Sequence, residues 1–207
     1  ANAAEPWKIP NIAAPAYAPR PVHFHADPDG FQPFQRDPRT GARPWAVPGT
    51  PGLEHRIGGL EKDFNSGNVS YDRDNHQLMT DARVGKIAGI ADHLPPQTIE
   101  IGPDRGKVAV LTWGSPYGPA RVAVRRALAD GRSVAHIQLR HIWPLPRNLA
   151  DLLASFDHVL LPEMNTGQLA DLLSAQLGLA PVRLNKVTGQ PFQVREIAAR
   201  IDDLLDA

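Results

Sequence analysis

Three groups of residues have types and spacing that suit chemistry. Glu163-Met-Asn-Thr-Gly-Gln168 sets a carboxylate and two amides within six positions, just after the short apolar run Val159-Leu-Leu161. Open α/β sheets place functional loops at that end of a strand. The same residues also suit a capping loop, with Asn165 or Thr166 accepting the free amides of the following helix. Gly114-Ser-Pro-Tyr-Gly118 joins an apolar run to a helical one, a junction whose free N–H groups can receive an anion. It has neither GxGxxG spacing nor the GK[ST] of a P-loop. His23-Phe-His25 puts two imidazoles on one face of an extended segment, with Asp27 at the same parity. That spacing suits a metal, but no third strong ligand cluster lies nearby, and exposed histidines on a surface arm are the plainer reading. His55, between Glu54 and Arg56, reads as part of a polar interface. His136 lies within a strand run and reads as a satisfied core or rim histidine. His141-Ile-Trp-Pro-Leu-Pro146 ends that strand on the same edge as the Glu163 loop, so the two loops make a shared surface. No Ser-His-Asp order, paired-carboxylate motif or nicotinamide fingerprint stands out.

The elements that position these groups fall into two textures. Of the 21 prolines, 14 lie in the first 103 residues. Each fixes φ and removes a donor, so neither a long helix nor a central strand runs through residues 1–60. Trp7, Tyr17, Phe24, Phe31, Phe34 and Trp45 are spread through this stretch. Disordered linkers are poor in large aromatics, so the stretch reads as an extended arm anchored on a folded surface. Residues 77–92 read as a helix with Leu78, Val84, Ile87, Ile90 and Ala91 on one face and Asn75 as its cap. Pro95-Pro96 then opens a linker to about residue 105. From Lys107 the pattern predicts strands at 108–113, 134–139, 159–161 and 182–187, alternating with helices at 119–130, 146–155, 167–177 and 193–206. Short apolar strands alternating with helices imply βαβ units and a mainly parallel sheet of four or five strands, covered on both faces.

Composition narrows the function classes. The 22 basic and 22 acidic side chains cancel, which argues against a nucleic-acid partner. The chain has no cysteine, which excludes a disulfide framework, a thiolate nucleophile and a cysteine-ligated cluster within it. No stretch approaches the roughly 18 apolar residues of a membrane span, and no basic-then-apolar leader opens the chain, so the expected location is cytoplasmic. The first residue is Ala1 rather than Met, and the chain reads as a mature form or a fragment.

Several segments together resemble one family. Glu5-Pro-Trp-Lys-Ile-Pro10 and the block Ala42-Arg-Pro-Trp-Ala-Val-Pro-Gly-Thr-Pro-Gly-Leu-Glu-His-Arg-Ile-Gly-Gly-Leu-Glu-Lys62 look like the alpha subunit of 2-oxoacid:ferredoxin oxidoreductases, the 2-oxoglutarate type most of all. Val69-Ser-Tyr-Asp72, Asn75-His76, Met79, Arg83 and Lys86 continue the match, as do His141–Pro146 and Glu163–Leu169. The resemblance covers essentially all 207 residues, and its most specific block is 42–62. It implies an enzyme that uses thiamine diphosphate and Mg to decarboxylate a 2-oxoacid, passes electrons through an iron–sulfur cluster to ferredoxin, and forms an acyl-CoA. It implies that residues 1–60 are the Pro-rich end of a pyrimidine-binding thiamine domain and its crossing arm. Residues 61–103 would be a connector with one helix, and 104–207 a transketolase C-terminal-like α/β domain.

The sequence begins late in that thiamine domain, so the residues that would contact the aminopyrimidine lie upstream. The resemblance assigns the diphosphate and metal loop and the cluster cysteines to the beta subunit. No catalytic, cofactor-binding or metal-ligating residue is therefore carried over. Glu54, His55, Glu163, Asn165, Gly167 and Gln168 are carried over as family-motif positions with an interface or scaffold role. The implied partners are the beta subunit, the remainder of the alpha subunit and, through the complex, ferredoxin. A docking or dimerisation module with no ligand of its own is the alternative, motivated by the aromatic arm. A stand-alone binder of small anions at 114–118 is a third reading.

Overall fold

A computed structural model describes residues 11–13 and 22–206. Trp7, Tyr17 and the 5–10 segment lie outside the described residues. The chain divides into two compact units, one ending at His93 and one beginning at Leu94.

The amino-terminal unit is mostly turns, as its prolines require. Its strands are two residues each, β1 (Phe24–His25) and β2 (Trp45–Ala46), paired in parallel with Phe24 opposite Trp45. Those two rings lie 6.4 Å apart and tilted, yet Trp45 stays 63% exposed. The buried anchors are Phe34 and Leu53, with the Arg43 guanidinium stacked 4.2 Å from the Phe34 ring. Helix α1 spans Arg73–Gly89, and a 3₁₀ turn follows at Ile90–His93. The helix therefore starts four residues before the expected 77, because its cap is Asp72, whose carboxylate accepts the Asn75 amide at 2.7 Å. Asn75 lies one turn inside. Its side chain accepts from the Phe64 amide and donates to the Lys62 carbonyl, both at 2.9 Å, which ties the first turn to the preceding loop. The expected apolar face is corrected as well. Leu78, Val84, Ile87 and Ile90 are exposed, and only Met79 and Ala91 are buried.

The second unit is an α/β sheet. Strands β3 (Gly106–Thr112), β4 (Val134–Gln138), β5 (Phe156–Glu163) and β6 (Val182–Asn185) are all parallel, in the order β4-β3-β5-β6. Between them run α2 (Tyr117–Ala129), α3 (Leu149–Leu153) and α4 (Gln168–Leu177), and α5 (Val194–Leu205) closes the chain. Successive strand side chains point to opposite faces, and both faces are covered. Val108, Val110, Val134 and Leu160 pack with the apolar stripes of α2 and α5. Ala109, Leu111, Ala135, Ile137 and Leu161 pack with α3 and α4. Each fully buried Val, Leu or Ile contributes about 1.5–3 kcal/mol, so this sheet is the stable part of the unit. Helix α5 opens with a capping box between Gln193 and Glu196, and α4 closes on Gly178 in the left-handed region.

Part of the stretch that reads as linker is in fact paired. Ile101 bridges His136 in antiparallel fashion, and the Glu100 amide donates to the His136 carbonyl while the His136 amide donates to that of Ile101, both at 2.8 Å. Gly102 makes this approach possible. Its φ is +105°, and a Cβ there would stand 2.6 Å from the Val134 carbonyl oxygen and 2.7 Å from the Ala135 Cα. Backbone atoms cannot move aside cheaply, so Gly102→Ala is expected to cost about 1–3 kcal/mol, read as a lowered urea midpoint. Among the described residues no helix is long and apolar enough to cross a membrane.

Candidate functional site

The carboxyl ends of β3 and β5 bring the 163–168 loop together with Trp113. Glu163 is the last residue of β5 and only 1% exposed. Its Oε1 accepts from the Leu169 amide at 2.9 Å, the Asn165 Nδ2 at 3.1 Å and the Trp113 Nε1 at 3.4 Å, and its Oε2 accepts from the Ala170 amide at 3.1 Å. A carboxylate at a helix N-terminus satisfies free amides and meets the positive end of the dipole. Asn165 Oδ1 accepts from the Gly167 and Gln168 amides at 2.7 and 2.9 Å. Glu163 and Asn165 therefore engage four successive amides, 167 to 170. Gly167 has φ +103°, and a Cβ there would meet Arg183 Nη1 at 2.9 Å and Asn185 Nδ2 at 3.1 Å on β6. Arg183 in turn pairs with Asp171 of α4 at 2.6 Å. The Gln168 side chain is exposed. Chemically this arrangement fixes a loop on a sheet edge. Glu163 has its acceptors engaged by the chain itself.

A second polar cluster lies on the α2 face. His136 Nε2 meets Thr112 Oγ1 at 2.7 Å, and that hydroxyl donates to Gln138 Oε1 at 2.5 Å. With its proton directed to Gln138, the Thr112 oxygen accepts from Nε2–H, so Nδ1 carries the lone pair. Among the described residues Nδ1, which is buried, has no hydrogen-bond partner. Tyr117 of α2 lies 5.4 Å from the imidazole, ring centre to ring centre. Its hydroxyl accepts from Arg121, which also approaches Glu100 at 3.5 Å. Burial, and then the Arg121 charge, push His136 from its usual 6.5 down to about 4. The unfolded chain binds a proton here below about 6.5 and the folded chain does not. Stability from this group is thus full above about pH 6.5 and is lost as pH falls toward 4, by up to roughly 3 kcal/mol. Urea midpoints at pH 7 and pH 4.5 should show a smaller drop in His136→Gln than in the parent.

In the amino-terminal unit, Glu54, His55 and Arg56 line a cleft of about 420 Å³ together with Phe31, Ser66 and Asn68. His55 Nδ1 donates to the Leu53 carbonyl at 2.7 Å, which leaves Nε2 as the acceptor. Its ring meets the Phe31 ring edge-on at 5.3 Å, and His25 stacks on Phe31 at 5.2 Å. His23 and His25 are exposed, and Asp27 is engaged by the Asp29 amide at 2.9 Å. No three His, Asp or Glu residues group for a metal among the described residues. At 114–118, Pro116 is the helix cap and offers no side-chain bond, while Ser115 donates to Met164 Sδ at 3.2 Å. His141, Ile142 and Trp143 are exposed, Trp143 at 60%. Sequence reasoning missed Trp113, Thr112, Gln138 and Arg183 as members of these clusters. The parallel register that aligns Thr112 with Gln138 and Glu163 with Asn185 leaves no spacing signal along the chain.

No family model matches the sequence. Over 198 residues, 95% of its length, the chain is 43% identical to the 2-oxoglutarate oxidoreductase subunit KorA of Mycobacterium tuberculosis, and covers 30% of that protein. It is 28% identical over 190 residues, 88% of its length, to the alpha subunit of 2-oxoacid:ferredoxin oxidoreductase 1 of Aeropyrum pernix, covering 29% of it. Its fold matches the 2-oxoglutarate:ferredoxin oxidoreductase from Magnetococcus marinus, solved with 2-oxoglutarate, coenzyme A and succinyl-CoA bound. The TM-score is 0.77 at 29% identity over 84% of this chain and 31% of that one. The chain thus spans about a third of the length of the relatives it matches. By sequence along nearly all of its length and by its α/β fold, the chain is similar to about a third of the alpha subunits of the 2-oxoacid:ferredoxin oxidoreductases.

Proposed function

We propose that this chain serves as part of the alpha subunit of a thiamine-diphosphate-dependent oxidoreductase. The enzyme would oxidatively decarboxylate a 2-oxoacid, 2-oxoglutarate by the closeness to KorA, to an acyl-CoA and pass electrons to ferredoxin. The observation that carries this reading is the 43% identity over 95% of the chain. The role of these residues within that enzyme is to build a scaffold. The Glu163–Gln168 loop supports this, because its carboxylate and amides are spent on α4 and the Trp113 indole. Glu54 and His55 are proposed as interface positions at the rim of their cleft.

The chain's own donors do not fit the cluster or the metal ion. It has no cysteine for iron–sulfur ligation, and no grouped carboxylates or imidazoles for magnesium among the described residues. Those groups and thiamine diphosphate are assigned to the beta subunit and the remainder of the alpha subunit. Residues 1–60 are proposed as the end of the pyrimidine-binding domain, 61–103 as a connector, and 104–207 as the α/β domain after it.

The test is reconstitution. The 207-residue chain alone should reduce no acceptor with 2-oxoglutarate and CoA, and as part of its complete complex that activity should appear. Turnover by the chain alone, or a complete complex inert toward every 2-oxoacid, would defeat the proposal. The second reading, a docking module, is favoured by Trp45 and Trp143, both largely exposed. A monodisperse monomer with no capture of a beta subunit would count against it.

A further inference from the structure

We infer that the amino-terminal unit holds a binding site for a small polyanion, a ligand carrying phosphate or carboxylate groups on a compact apolar body. The site is the cleft between the 36–41 turn and the last two turns of α1. It goes beyond the family assignment and does not depend on it. The cleft encloses about 480 Å³, within the range of small-molecule sites. Arg36 and Arg39 approach from the turn and Lys86 from the helix, and His93 adds an imidazole. Among the described residues Asp37 is the one acid in the lining. Its Oδ1 is already held by the Thr40 amide at 2.8 Å, the Arg39 amide at 2.9 Å and the Thr40 hydroxyl at 3.1 Å. Those bonds, the Thr40 amide first, hold Asp37 below the usual carboxylate range.

The Asp37 charge acts on Arg39, but the lining cations outnumber it and, among the described residues, none of them is held in an ion pair. Arg36 donates to the Phe34 carbonyl at 3.3 Å and toward Met79 Sδ at 3.6 Å, and its guanidinium stacks on Phe64 at 4.9 Å. Burial, then the charges of Arg43 and Arg83, push its pKa down. Of this group Arg83 has a carboxylate partner, Glu61 at 3.4 Å. Among the described residues Arg36, Arg39, Arg43 and Lys86 form no ion pair. Cations gathered this way repel one another, and an anion seated among them removes the repulsion. A basic residue at a helix C-terminus is commonly there to meet the dipole, which accounts for Lys86 and His93. It does not account for Arg36 and Arg39 on the facing turn.

The floor supplies room. A Cβ added to Gly85 or Gly89 would meet no heavy atom within 4 Å, so the ligand can lie against bare helix backbone, with Phe64 and Ile90 as apolar contacts. Phosphate and carboxylate ligands share this chemistry, and two probes separate them. In isothermal calorimetry of the 207-residue chain at low salt, inorganic pyrophosphate or succinate should bind saturably at one site. The tighter of the two names the anionic group. Lys86→Gln and Arg39→Gln should each weaken that binding by about tenfold, and Gly85→Leu should abolish it by filling the floor with every charge intact. Circular dichroism melts should match the parent for the two charge variants, which keep the test decisive even where Gly85→Leu is unstable. No saturable heat with either anion, or unchanged affinity in both charge variants, would overturn the proposal.

Discussion

Glu163→Ala is expected to lower the unfolding free energy by about 4 kcal/mol. Four buried or half-buried donors lose their acceptor at once: the Leu169 and Ala170 amides, the Asn165 side-chain amide and the Trp113 indole. Leaving such a donor unpaired costs about 1–3 kcal/mol, and the site is too buried for water to replace all four bonds without opening the loop. Glu163→Gln should cost less, since its carbonyl still accepts, but its amide would face a donor at Ala170. Asn165→Ala should cost about 1 kcal/mol, as an ordinary cap does. Equilibrium urea unfolding measures all three. A loss below about 1 kcal/mol for Glu163→Ala would show that α4 does not depend on this carboxylate.

Leu111→Ala should cost about 2–5 kcal/mol. Leu111 is fully buried in β3, the strand flanked by β4 and β5, opposite Ile137. Its neighbours belong to a sheet and two helices, which relax little around a cavity. Val122→Ala on the exposed side of α2 is the control and should stay within about 0.5 kcal/mol. A cost below about 0.5 kcal/mol at Leu111 would remove β3 from the core.

The second unit was legible because its signals are local. Val108 to Leu111, Val134 to Ile137 and Leu160 to Leu161 are apolar runs too short for helices. Their strands and the intervening helices lie within a few residues of the expected bounds, apart from the shorter α3 and the longer β5. The order of strands and the partners of Glu163 were not legible. Trp113 is 50 residues from Glu163 in the chain, and only the sheet register brings them together. The α1 face shows the opposite failure. Leu78, Val84, Ile87 and Ile90 repeat at helical spacing, but periodicity reports amphipathicity and says nothing about whether a partner covers the stripe. The basic cleft gave no signal because Arg36 and Lys86 are far apart in sequence, and isolated arginines near prolines read as ordinary surface.

The antiparallel bridge of Ile101 to His136 bears on how this sheet avoids its own kind. An open parallel sheet has two rims of unpaired amides and carbonyls, each a template for another chain. On the β4 side part of that rim is occupied by residues 100–101 of the same molecule. The other rim is β6, only four residues long and carrying the charged Arg183. Brevity and charge both discourage strand addition. Any process that peeled residues 99–102 away would uncover the β4 rim and the buried imidazole beside it together, turning a stable fold into an adhesive one.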